Sequence, residues 1–110
     1  MLDVAIRRSA ATGTVCRLDG ELVSSATPVI RALRGRLANA KTVLVDLRGI
    51  VRFDRPGLGA LVGVLRGAHP GSDRVRVAAE LPALVRMLNA GGLDRLFPFV
   101  DLDTPGAVGG

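Results

Sequence analysis

Ten carboxylates, one histidine and one cysteine are the groups with which this 110-residue chain could do chemistry, and their spacing argues against most of it. Cys16 sits in the β-prone stretch Val15-Cys16-Arg17-Leu18, where a buried strand thiol is expected, and a lone cysteine forms no internal disulfide. His69 precedes Pro70-Gly71 with no cysteine or second histidine at a ligand spacing, so a metal site and a Ser-His couple both lack parts. Gly57-Leu58-Gly59 lacks the third glycine of a dinucleotide fingerprint, and no phosphate-loop lysine motif occurs. Asp46 closes an apolar run and Asp101 and Asp103 lie near the C-terminus, but no second group makes an acid–base couple with any of them. Solvated or capping carboxylates are expected there. The reading is of a chain that is no enzyme, with no catalytic residue, metal or cofactor.

The segment Phe53-Asp54-Arg55-Pro56-Gly57-Leu58-Gly59 is different. An aspartate ahead of a helix that opens with Pro and Gly places a carboxylate beside free amide groups and the positive end of the helix dipole. That placement stabilises the helix start. It also displays positions 55 and 56 on the surface at the edge of a sheet, where a partner can reach them.

The elements that must hold this segment follow from periodicity. Alternating Leu2, Val4 and Ile6 predict a strand over residues 2–8, and a second over 14–18 follows the Ala11-Thr12-Gly13 turn. Asp19-Gly20-Glu21 reads as punctuation, and Ser24-Ser25-Ala26-Thr27-Pro28 as a helix start. The helix runs to about Asn39, with Val29, Ile30, Leu33 and Leu37 on its apolar face and Arg31, Arg34 and Arg36 on its solvated one. Residues 41–47 are a near-continuous apolar run, as in a central strand covered on both faces. A second helix begins just after Pro56, with Leu58, Leu61, Val62 and Leu65 at helical spacing, and ends by Pro70-Gly71. A strand over 74–79, and a third helix from Pro82 with Leu81, Leu84, Val85 and Leu88 before Gly91-Gly92, come next. Phe97-Pro98-Phe99-Val100 suits a short edge strand, and 106–110 a frayed tail. The order β-β-α-β-α-β-α-(β) defines an α/β domain with helices packed on a mostly parallel or mixed sheet.

Composition narrows the partners. The net charge is +5, but every basic residue except Lys41 is an arginine, no basic tract occurs, and acids are interleaved along the chain. Aromatic residues are 3% of the chain, with no Trp or Tyr to stack on bases, so direct nucleic-acid binding is not expected. Apolar stretches are broken within a few residues by Arg or Gly, so no membrane span is expected and the default location is cytoplasmic.

Taken in order, Leu18-Asp19-Gly20-Glu21-Leu22, a helix, Val43-Leu44-Val45-Asp46-Leu47, Phe53-Asp54-x-x-Gly57-Leu58-Gly59, the 74–79 strand and Leu84 to Gly92-Leu93 resemble a STAS domain of the anti-sigma-factor antagonist type. The likeness covers about residues 4–103. It implies one domain over residues 1–105, with a four- or five-stranded mixed sheet and flanking helices, and a flexible tail over 106–110. It further implies a bacterial regulator of transcription that acts by partner switching: the antagonist binds an anti-sigma factor that is also a serine kinase, frees a sigma factor, and is switched off by a phosphate. The family motif reads Asp-Ser-Ser-Gly or Asp-Ser-Thr-Gly, with the second hydroxyl residue as phosphoacceptor. Those two positions are Arg55 and Pro56 here. Proline carries no hydroxyl, so phosphorylation at Pro56 is excluded, and Ser24, Ser25 and Thr27 belong to a different helix start. Val23 also departs from the aspartate common in the family's Gly-Glu-Leu-Asp string.

The resemblance therefore implies an unphosphorylatable partner-binding surface made of Asp54, Arg55, Pro56, Gly57 and Leu58, with Ser24 and Ser25 in a neighbouring loop. Asp54 would position the helix start, Arg55 would make a charged contact, and Gly57 would permit close backbone approach. An alternative implied by the same likeness is a stand-alone STAS accessory subunit of a larger assembly such as a lipid-transport ATPase complex. A nucleotide-binding module is disfavoured by the missing phosphate motifs, and a homodimer stays open.

Overall fold

The structure is a computed structural model, and residues 1–9, 13–68 and 75–90 are described. In chain order the elements are β1 (Leu2–Ser9), β2 (Gly13–Leu22), one 3-10 turn (Ser24–Ala26), α1 (Thr27–Leu37), β3 (Val43–Phe53), α2 (Arg55–Ala68), β4 (Val75–Ala78) and α3 (Pro82–Ala90). The four strands make one sheet in the order β1-β2-β3-β4. β1 is antiparallel to β2, while β2, β3 and β4 are mutually parallel. Because the strand order advances in one direction, right-handed connections put successive helices on the same face, and α1 and α2 pack side by side there.

Alternation decides which side chains meet those helices. Cys16 and Leu18 of β2 are buried while Arg17 between them is exposed. In β3, Val43, Val45, Asp46 and Leu47 are all buried, as expected of a central strand. Ile30, Leu33 and Leu37 of α1, Leu58, Leu61, Val64 and Leu65 of α2, and Leu84 and Leu88 of α3 close the core against these strands. The core is almost wholly aliphatic, and each fully buried Leu, Ile or Val contributes about 1.5–3 kcal/mol of transfer free energy.

Several boundaries differ from the sequence reading. β2 does not stop at Asp19-Gly20 but continues to Leu22, with register shifts between Arg17 and Asp19 and between Gly20 and Glu21. Gly20 takes φ +105°, which a side-chain-bearing residue rarely adopts, so a residue expected to end the strand instead absorbs its irregularity. β3 likewise runs unbroken through Arg48-Gly49 to Phe53. Val29, expected on the apolar face of α1, is 43% exposed, and α1 ends at Leu37 rather than near Asn39. In α2, Val64 takes the fully buried place expected of Val62, which is half-buried. α3 falls where it was expected, and β4 ends at Ala78, one residue short of the expected 79, with residue 74 not described. His69, Gly91-Gly92, the 97–100 edge strand, Asp101, Asp103 and the 106–110 tail also lie outside the described residues. Among the described residues no helix is long and apolar enough to cross a membrane.

Candidate functional site

The C-terminal ends of β2 and β3 lie next to each other, with Leu22 in register with Phe53. The chain leaves each strand into a helix start, so the two starts meet. Asp54 joins them. Its backbone N–H donates to the Leu22 carbonyl at 3.2 Å, and its own carbonyl accepts the first helical hydrogen bond of α2 from Leu58 N–H at 3.0 Å. Its carboxylate accepts from Gly57 N–H at 2.7 Å and from Ser24 N–H at 3.0 Å. One acid thus caps α2 at its third amide and anchors the first residue of the turn that precedes α1. Hydrogen bonds from Ser24 and then from Gly57 hold the Asp54 carboxyl below the usual aspartate range. The helix starts at Arg55, two residues earlier than its apolar spacing suggested, because this cap supplies the boundary.

Gly57 seats the helix on the strand. A Cβ placed there would clash with the Leu22 carbonyl oxygen and lie 2.7 Å from Val23 Cα, both backbone atoms that cannot swing aside as the end of a flexible side chain can. The close approach allowed by Gly57 is therefore made by the chain's own β2. Gly57 and Leu58 are both buried. Arg55, Pro56, Ser24 and Ser25 are exposed, and Asp54 is half-buried between the two groups. Of the seven residues singled out from the sequence, the structure brings all together, four of them on the surface.

The start of α1 is held differently. The residue before Thr27 makes no side-chain cap, and Thr27 Oγ1 donates back to the Ser24 carbonyl at 2.7 Å. Beside this turn, Met1, Leu2, Glu21, Val23, Ser25, Ala26 and Val29 line a shallow groove of about 230 Å³. Glu21 is paired with Arg52 on the neighbouring strand at 2.6 Å. That pair was not anticipated, because its members are far apart in sequence and meet only through the parallel register of β2 and β3.

The remaining chemical candidates are accounted for by structure. Burial pushes the Cys16 thiol up to about 11, which leaves it protonated and inert as a nucleophile at neutral pH. Asp46, expected to be solvated or capping, is not solvated but buried at 5% exposure; it does accept from the backbone N–H of Arg48 at 3.0 Å, and it is also held by Arg48 Nε at 3.0 Å and Arg48 Nη2 at 3.1 Å. Burial alone would raise its pKa, but the hydrogen bonds from Arg48 outweigh it and the net direction is down. The i, i+2 spacing of Asp46 and Arg48 on one strand face was the available signal. Among the described residues no cluster of ligating side chains could hold a metal ion.

The family model described as "Mlab, STAS domain" matches residues 5–101 of this chain, which therefore belongs to the STAS domain family. Solved structures share its fold. An anti-sigma factor antagonist from Mycobacterium paratuberculosis aligns with a TM-score of 0.79 at 21% identity, covering 99% of this chain and 92% of its own. The anti-sigma factor antagonist SpoIIAA in its unphosphorylated form aligns at 0.69 and 19% identity, covering 97% of this chain and 96% of its own. The Bacillus cell fate determinant SpoIIAA in its phosphorylated form aligns at 0.68 and 19% identity, covering 92% of this chain and 94% of its own. No curated protein matches the sequence.

Proposed function

We propose that this STAS domain is a non-enzymatic regulator that works by binding a protein partner at the start of α2, as an anti-sigma-factor antagonist does, and that no phosphate at position 56 gates the binding. The partner is an anti-sigma factor of the serine-kinase type, and the contact is made by Arg55 and Pro56 with Ser24 and Ser25 beside them. Asp54, Gly57 and Leu58 hold that surface in place from beneath.

The observation that carries this reading is the exposed Arg55-Pro56 pair on a helix start clamped from behind by Asp54 and Gly57. A rigidly held pair of exposed residues meets a partner at little cost in ordering. A phosphate there would add about −1.5 to −2 charges, whereas Arg55 presents a fixed positive one. The facing partner surface is then acidic or neutral.

Native mass spectrometry of the protein mixed with the anti-sigma kinases of its own host, with and without ATP, tests this. The expected result is a complex that persists in ATP with no phosphate on this chain, and that Arg55→Glu weakens about tenfold or more. No complex with any of them, under conditions where family members with the serine motif bind, sinks the proposal. A second reading, an accessory subunit of a lipid-transport ATPase assembly, has one observation in its favour: the matching family model is described as Mlab and not as an antagonist. It predicts stable co-purification with an ATPase subunit.

A further inference from the structure

No Asp or Glu occurs between Glu21 and Asp46, nor between Asp54 and Asp73, so α1 and α2 contain no carboxylate. Both helices nevertheless carry exposed arginines: Arg31, Arg34 and Arg36 on α1, Arg55 and Arg66 on α2. On the strands three of the six arginines have carboxylate partners, while Arg7, Arg8 and Arg76 have none among the described residues. Arg17 is paired with Asp19, Arg48 with Asp46 and Arg52 with Glu21. Among the described residues, Arg31, Arg34, Arg55 and Arg66 have no acidic partner.

Two of these unpaired cations share a cleft. Arg31 and Arg34, one turn apart on α1, line a depression of about 440 Å³ whose other wall is Ala60, Gly63 and Val64 of α2. A Cβ at Gly63 would meet nothing within 4 Å, so the missing side chain leaves open room and not a packed contact. The cleft thus has two guanidinium groups at one wall and small apolar groups at the other.

We propose that this cleft between α1 and α2 docks an acidic amphipathic segment of a partner protein, with carboxylates on Arg31 and Arg34 and small apolar side chains against Ala60, Gly63 and Val64. Arginine forks pair bidentately with carboxylates, and each such pair is stronger beside an apolar floor than in open water. A single-stranded nucleic acid would stack on aromatic platforms, and neither helix carries an aromatic residue; a duplex would be met by a dense basic tract, and the sequence has none. A membrane would need large apolar anchors, and the exposed ones, Met1, Val29 and Val51, are not among the cleft residues. The inference concerns the bodies of the helices and stands whether or not Arg55 touches a partner.

The test uses the whole protein and four probes: an amphipathic peptide of about 14 residues with Glu along one helical face and Ala and Leu along the other, a scrambled peptide of the same composition, a short DNA duplex, and phosphatidylglycerol vesicles. Binding is read by fluorescence anisotropy near physiological salt for the peptides and DNA, and by co-sedimentation for the vesicles. The patterned peptide is expected to bind saturably and at least about fivefold tighter than the scrambled one. Arg31→Glu with Arg34→Glu should weaken it about tenfold or more, as should Gly63→Leu, which fills the cleft, while Arg86→Glu, an exposed arginine on α3 outside the cleft, changes it less than about twofold. Arg31→Gln with Arg34→Gln serves as a milder pair should charge reversal disturb folding. Absent peptide binding, equal binding of the scrambled peptide, preference for DNA or vesicles, or wild-type affinity in both arginine pairs overturns the proposal.

Discussion

Two glycines two positions apart on α2 meet opposite surroundings. A Cβ on Gly57 would drive into the backbone of Leu22 and Val23, whereas a Cβ on Gly59 would find nothing within 4 Å. Charge follows the same division: Arg52, just before the helix, is paired with Glu21, while Arg55, in its first turn, is exposed and has no acidic partner among the described residues. The inward side of the helix start is committed to holding β2, the 3-10 turn and α2 together. The outward side is left open. A family resemblance alone treats Asp54, Arg55, Pro56, Gly57 and Leu58 as one surface, but their surroundings divide them into a scaffold and a display.

The sharpest way to break that division is Gly57→Ala. It should cost about 2–3 kcal/mol, because the clash is with backbone that has no rotamer to escape into, and the urea midpoint should fall accordingly. A loss under about 0.5 kcal/mol would show that the helix start slides freely on β2. Asp54→Ala removes the acceptor for two amides at once and should lower Tm by roughly 5 °C. Asp54→Asn should fall between, since its amide oxygen still accepts one of the bonds.

The same carboxylate predicts a pH dependence. Hydrogen bonds from Ser24 and Gly57 lower the Asp54 pKa in the fold, so folding favours the ionised form. Its contribution is complete above the unfolded value of about 3.9 and is lost as the pH falls through the lowered native value. Asp46, lowered by Arg48 against the opposing effect of burial, adds to the loss in the same window. Wild-type Tm should therefore drop below about pH 4 more steeply than that of Asp54→Ala, as measured by thermal melts across the acid range. The smallest expected effect has the opposite sign. Gly59→Ala should stabilise the protein by about 0.5–1 kcal/mol, because a helical Cβ in open space costs nothing and the unfolded chain loses freedom.

Much of this arrangement was legible along the chain. The helical spacing of Ile30, Leu33 and Leu37, the alternation around Cys16 and Leu18, and an aspartate three residues before a glycine at a helix start are all local patterns that act within one element. The order of elements was legible for the same reason. Where local signals misled, a tertiary contact had overruled them. Asp19-Gly20 looked like a strand end, yet β2 continues to Leu22 because pairing with β3, Glu21 opposite Arg52 and Leu22 opposite Phe53, carries it past the point where pairing with β1 stops at Gly20. Asp46 looked solvent-facing, yet a covered central strand buries it and Arg48 neutralises it.

By itself the sequence determined that the chain is an α/β domain, that a capped helix starts at residues 54–57, and that position 56 has no hydroxyl to modify. Each of these depends on residue identity or on spacing within one element. Only the tertiary structure decided that Gly57 faces the chain's own backbone, that Glu21 meets Arg52, and that Arg31 and Arg34 share a cleft with Gly63. Those contacts depend on the register between β2 and β3 and on the packing of α1 against α2, which bring together residues about 30 positions apart for which no short-range pattern exists.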